Sequence, residues 1–316
     1  MMKRIRTALC LILAAALLAG CAFLPSESEP EALAPADPLT GHPLEWPGQR
    51  PVAVTIENST ASATQWGISS ASVVLEALTE AGMATELCLV YPALAATPKV
   101  GPVAAGQDIY WRLLVGQQPL PVQRGGGQFD QNYLDYYSIR AVDALEAGRT
   151  AFDCGSEWSN APLWYTSGSA VSKVLDALSI SAVLTESRVT SAASAAATSA
   201  SSGSDAVLTV PALLPQEEDG KLPDATAPDA MNVQVCFDDN NATGFAYDPD
   251  SGLYRMLHAD GTPQLDANNG QQAGFDNLLV LFSASALRDD GRTYDFDLSM
   301  GGGVWLNGGH LWTITW

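Results

Sequence analysis

Glu76 and Glu80 stand four residues apart in "SSASVVLEALTEAG", residues 69–82. On a helix that spacing puts both carboxyls on one face, opposite Val73, Val74 and Ala77. Two carboxylates whose surroundings separate their pKa values can serve as acid and base. A gap of roughly 5 to 10 Å across a cleft suits glycoside chemistry. Glutamates on a polar helix face are more often simply solvated. A second constellation, "RGGGQFDQ" at 124–131, follows a strand-like run and opens a helix. The backbone amides of Gly125, Gly126 and Gly127 could cradle an anion. The run lacks the spaced glycines and the lysine of a phosphate-binding loop, and a tight turn is the plainer reading. Gln65, Trp66, Gln107 and Gln123 fall at the C-terminal ends of predicted strands or on the helices just after them, where α/β ligands bind. With the two glutamates and three glycines they form the candidate ligand site.

Other chemistries are weaker. "DDNNATG" (238–244), "DPDSG" (248–252) and "DANNG" (266–270) offer oxygens for calcium. None completes a twelve-residue loop with its closing glutamate, and the same residues dominate ordinary turns. There is no Gly-x-Ser-x-Gly, and "GSEWSN" (155–160) has no obvious base, which argues against a serine or cysteine nucleophile. No catalytic set, metal or cofactor is therefore assigned. Trp66, Tyr110, Trp111, Trp158, Trp164 and Tyr165 are either core or the lining of a groove for a glycan or peptide.

The elements that must hold these residues alternate through the first half. "PVAVTIE" (51–57), "LCLVYPAL" (87–94) and "LPVQR" (120–124) read as strands. Residues 69–82, 106–116 and 168–178 read as helices. Alternation points to a layered α/β domain. The second half reads as antiparallel strands. They include "GFAYDPDSGLYRML", a buried "NLLVLFSA", and a final hairpin, "GGGVWLNGGHLWTITW", with Asn307-Gly308 at its tip. Between the halves, the Ser/Ala tract at 190–204 and an acidic stretch to Asp229 read as a linker or surface loop. The fold class is thus α+β. An N-terminal α/β domain (39–184) and a β-rich domain (230–316) flank a connecting segment (185–229).

Upstream, Lys3, Arg4 and Arg6 precede an apolar run at 8–19 that is too short to span a bilayer and has the order of a secretory signal. Its exit, Leu18-Ala19-Gly20-Cys21, resembles the bacterial lipoprotein box. Residues 1–20 would be removed and Cys21 lipidated, anchoring the chain to the outer face of the cell membrane. Residues 21–38, acidic and proline-bearing, read as a tether. After cleavage twelve bases face 35 acids, a formal charge of −23, which argues against nucleic acid and against lying flat on an anionic bilayer. Cys88, Cys154 and Cys236 remain. They are too few and too scattered for a disulfide framework or a zinc site, and Cys88 reads as a buried hydrophobe.

The chain resembles the YerB-type bacterial lipoproteins, a family with an N-terminal and a C-terminal domain and no assigned role. "DPLTGHPL" (37–44), "RPVAVTIEN" (50–58), "QWGISSASVVLEALTEAGM" (65–83), "KVGPV" (99–103), "GGG" (125–127) and "APLWYTS" (161–167) carry the resemblance. "FAYDPDSGLYRM" and "LDANNGQQAGFDNLLVLF" carry it in the second half. The resemblance implies basic side chains at or beside the positions of Thr85, Ala104, Gln107, Gln123 and Leu163. None is basic here, so an anion-binding cleft of that kind is largely lost. It also implies a further strand or two beyond Trp316. These features point to a surface-anchored binding or interaction module at the cell envelope, joined to the membrane by its lipid, with a peptide or cell-wall ligand. The alternative is an envelope hydrolase using Glu76 and Glu80.

Overall fold

The computed structural model describes residues 36–58, 64–155, 163–184 and 227–316. The leader, Cys21, nearly all of the tether, the Ser/Ala tract and Trp158 lie outside the described residues.

The N-terminal half is built on β1 (Val52–Glu57), β2 (Val73–Ala77), β3 (Glu86–Tyr91), β4 (Leu120–Gln123) and β5 (Val142–Asp143), in the order β2-β3-β1-β4-β5. β1 lies at the centre, antiparallel to β3 and parallel to β4. β2 adds to β3 antiparallel, and β5 to β4 parallel. Four short helices accompany it: α1 (Asp108–Leu114), α2 (Gln128–Tyr136), α3 (Ala144–Ala147) and α4 (Gly168–Val171). β6 (Asp153–Gly155) and β7 (Leu163–Tyr165) form a small ribbon. The result is α+β: a mixed sheet with few short helices.

The sheet is apolar on both faces, because successive strand residues point to opposite sides. Val52, Val54, Ile56, Leu87, Leu89 and Tyr91 enter the larger core, whereas Ala53, Cys88 and Val90 belong with Ile109, Tyr110, Trp111 and Leu114 of α1. Cys88 is fully buried, as the sequence suggests, and burial pushes its thiol pKa up.

The predicted helix at 69–82 is instead a 3₁₀ turn, Ile68–Ser70, followed by strand β2. Val73, Leu75 and Ala77 pack toward one cluster and Val74 toward the other. A strand with apolar residues on both faces shows no period of two, so its spacing imitates a helix. The β-branched pair and the register with β3, Val73↔Val90 to Ala77↔Glu86, decide for the strand. The helices expected at 106–116 and 168–178 are present but shorter.

The C-terminal half is antiparallel throughout. β8 (Asn232–Cys236), β9 (Ala242–Asp248), β10 (Leu253–Leu257) and β11 (Gly274–Phe275) make a four-stranded sheet. β12 (Asn277–Phe282), β15 (Gly302–Asn307) and β16 (His310–Thr315) make a three-stranded one, and β13 (Ser285–Leu287) pairs with β14 (Tyr294–Phe296). β12 is half-buried rather than buried, with Leu281 and Phe282 exposed. The final hairpin turns one residue later than the sequence suggests. Asn307 pairs with His310, and the tip is Gly308 and Gly309, both left-handed (φ 57° and 83°), which glycine tolerates best. Phe245, Tyr254, Met256 and Leu306 share the larger core with β1 and β3, and Ala36–Trp316 forms one compact unit.

Candidate functional site

Strands β1, β2 and β4 all end at one edge of the five-stranded sheet, and β3 begins there. This edge gathers most of the candidate residues, but it does not leave them open. Gln65 is 2% exposed. Its Nε2 donates to Glu57 O (2.7 Å) and Asn58 Oδ1 (3.0 Å), and its Oε1 accepts from Gln264. Glu76 Oε1 accepts from Thr85 (2.6 Å), Thr243 (2.8 Å) and Asn58 (3.1 Å). Burial raises the Glu76 pKa, and the three hydrogen bonds oppose that rise. Glu80 accepts two hydrogen bonds from Arg292 (2.7 and 3.2 Å). Thr243, Gln264 and Arg292 all come from the C-terminal half, so these side chains stitch the halves together.

The two glutamates are therefore not neighbours on a helix. One lies within β2 and the other beyond its end. They point to separate partners, Glu76 to Asn58, Thr85 and Thr243 and Glu80 to Arg292.

Asp266, from "DANNG", completes the stitching. Its buried carboxylate accepts from the amides of Gly67 (3.0 Å), Ser69 (3.0 Å) and Asn268 (2.8 Å), and from the Ser69 hydroxyl (2.8 Å). Asp238 and Asp248 likewise accept from amides of their own turns. Turn chemistry thus accounts for Asp238 and Asp248 and the seam between the halves for Asp266, and among the described residues no group of three or more His, Cys, Asp or Glu is placed to hold a metal.

At the same edge Glu86 faces Glu57 in register. Burial, opposed by hydrogen bonds with Gln107 and Thr79 and reinforced by the charges of Glu80 and Glu57, raises the Glu86 pKa to about 7. Gln123 is 1% exposed and donates to Asp130 (3.0 Å) and Asp143 (3.4 Å). Asp130 also accepts from Trp111 Nε1 (2.5 Å), and burial lifts its pKa to about 6. The glycine run is dictated by this packing. A Cβ on Gly126 would stand 1.9 Å from Asp130 Oδ2, and Gly125 is left-handed (φ 71°) with its amide donating to Asp143 Oδ1 (2.9 Å). Gly127 then caps α2. The run is a turn that aims a helix.

That helix borders an open cleft of about 570 Å³. On the α2 side, Phe129, Tyr133 and Tyr136 lie along one face of the helix, with Tyr137 just beyond it. Tyr136 and Tyr137 are 81% and 52% exposed, and their rings stack edge-on at 4.9 Å. The opposite wall is the β13–β14 hairpin, with Ala286, Leu287, Arg288 and Asp289. Arg288 reaches across and donates to both oxygens of Asp108 (2.8 and 2.7 Å), its guanidinium 4.3 Å from the Phe129 ring centre. Asp295 accepts from Arg288 (3.2 Å) and Arg112 (2.9 Å).

Two sequence models of one family match the chain in order. Protein of unknown function (DUF3048) N-terminal domain matches residues 39–181, and its C-terminal domain matches residues 233–316. The chain belongs to this family. Over 296 residues it is 24% identical to the Bacillus subtilis (strain 168) protein named "Putative lipoprotein YerB", covering 88% of this chain and 77% of that one. The crystal structure of the YerB protein from Bacillus subtilis superposes with a TM-score of 0.70 at 22% identity. It covers 89% of this chain and 87% of that one, which fixes the shared fold.

Within this member of the family, Trp66 lies apart from the cleft. Its ring faces Tyr165 edge-on at 6.3 Å and carries the Lys99 ammonium at 3.6 Å. The cleft aromatics were missing from the sequence reading, although a signal was present. Phe129, Tyr133, Tyr136 and Tyr137 recur at helical spacing, while α2 meets the core through Leu134, with Tyr133 packed half-buried beside it. Arg288 had no such signal, because its role depends on how the hairpin docks.

Proposed function

We propose that the chain is an extracytoplasmic lipoprotein, anchored through Cys21, that binds its ligand in the cleft between α2 and the β13–β14 hairpin. In this reading the body divides at 39–184 and 230–316, the tether gives it reach from the membrane, and Gly125, Gly126 and Gly127 orient the binding helix. Gln123, through Asp130, and Glu80, through Arg292, hold its two walls in place, and Gln65 and Glu76 tie the two halves of the body together behind it. The name of the Bacillus subtilis relative supports the lipid anchor. The observation that carries the binding reading is the pair of largely exposed tyrosines beside an open, polar-rimmed cleft. Large exposed aromatics in a concavity are characteristic of recognition surfaces.

A thermal-shift titration with peptidoglycan fragments and short peptides tests this. A ligand at saturation should raise the wild-type Tm by about 3 °C or more. The Tyr136→Ala, Tyr137→Ala double variant should fold normally and lose the shift. Retention of the full shift would refute the assignment of the cleft.

A further inference from the structure

Resting on that reading, we infer that the cleft takes a cationic peptide, with a lysine or arginine side chain laid on the tyrosine faces and its charge directed at Asp289.

The charges on the walls favour that sign. Arg288 is spent on Asp108 and Asp295, and Arg112 on Asp295 and the carbonyl of Phe296 (2.6 Å). These two guanidiniums and two carboxylates cancel. Asp289 remains, exposed and in no ion pair among the described residues. α2 contributes Phe129, Asn132, Tyr133 and Tyr136 to the lining and adds no charge of either sign to it. An anionic ligand would meet carboxylates and find no uncommitted cation, whereas a cation meets a surplus carboxylate at low dielectric cost. The tyrosine rings act in the same direction, since a ring face attracts a cation lying over it. The cleft already contains one such contact, Arg288 on Phe129.

The opposite wall selects the body that carries the charge. Ala286 and Leu287 present methyl groups, and Leu287 is 51% exposed. The methylene stem of lysine or arginine is satisfied there. A sugar edge would set hydroxyls against those methyls, with the nearby carboxylates Asp108 and Asp295 already engaged. A second copy of the cleaved chain, with a formal charge of −23, would be repelled.

Fluorescence anisotropy of the full chain with a labelled octapeptide of alternating lysine and alanine, at 150 mM salt, tests the inference. Binding should be at least about tenfold tighter than for the glutamate–alanine counterpart. Tyr136→Ala with Tyr137→Ala should weaken it about fivefold or more, and the paired Tyr→Phe changes should leave it within about twofold. Asp289→Asn should weaken it about threefold. Asp250→Asn, an equal charge change on the β9–β10 turn outside the cleft, should not. Equal effects of the two aspartate variants with none from the tyrosines would overturn the inference, because total charge alone would then explain binding. Displacement of the peptide by a glucosamine oligomer of higher affinity would overturn it in favour of a sugar. If wall fragments give a tyrosine-dependent thermal shift while the lysine peptide does not bind, the cleft reading stands and the cationic ligand is refuted. If no shift depends on the tyrosines, both are refuted.

Discussion

Glu86 faces Glu57 across the central strand pair, and its carboxyl titrates near neutrality instead of at the ordinary 4.5. A carboxyl whose pKa rises on folding stabilises the native state when protonated. That contribution is complete below the unfolded value of 4.5 and is lost as pH rises through about 7. Asp130, raised to about 6, acts in the same direction. The folded protein should therefore gain stability on acidification from pH 7.5 to 5. Glu86 should account for on the order of 2 kcal/mol of the gain after allowance for its partial exposure. Urea denaturation at the two pH values checks this, with Glu86→Gln flattening the dependence. Asp130 leaves a residual slope, so a slope that the substitution does not reduce would remove Glu86 from the account. None of this was legible in the sequence, where Glu86 is one acid beside an apolar strand. Its shift arises chiefly from burial at the end of the sheet, with the charges of Glu80 and of Glu57, opposite it in register, adding to it.

Elements were legible where one periodicity prevailed. β1 and β3, both rich in buried aliphatics, and α1 lie where the spacing puts them. β2 was misread because both of its faces are covered. With that error the shared helix face of Glu76 and Glu80 disappears, since Glu76 lies within β2 and accepts from Thr85, Thr243 and Asn58, whereas Glu80 lies beyond its end and accepts from Arg292. Contacts between elements were equally silent. At the start of α4, a Cβ on Gly168 would lie 1.7 Å from the carbonyl oxygen of Leu94, a backbone atom that cannot step aside. Gly168→Ala should cost about 3 kcal/mol or more. On β15, Gly302 has room for a methyl group, with nothing nearer than 3.9 Å, so Gly302→Ala should stay within about 0.5 kcal/mol. Denaturant midpoints for the two variants separate these cases, and equal midpoints would contradict the packing.

Across the whole molecule, the sequence groups Gln65, Glu76, Glu80 and Gln123 by strand ends and helix faces, and the fold gathers them at one edge of the sheet. What closes over them there was not legible. Gln65, Glu76 and Glu80 meet Gln264, Thr243 and Arg292 from some 170 to 210 residues away, contacts that no local pattern can announce. Polar groups that close a seam look, in one dimension, like polar groups awaiting a ligand. The seam leaves the α2 tyrosines and the hairpin facing open solvent, and the binding reading rests on that division of labour. Hydrogen exchange of the full chain measures it most directly, with the lysine–alanine peptide and a peptidoglycan digest each added at saturation. Slowed exchange at 128–137 and 285–296, with 65–66, 76–80 and 123–127 unchanged, is the predicted result. Protection confined to the latter three segments, with the α2 and hairpin amides unaltered, would contradict it.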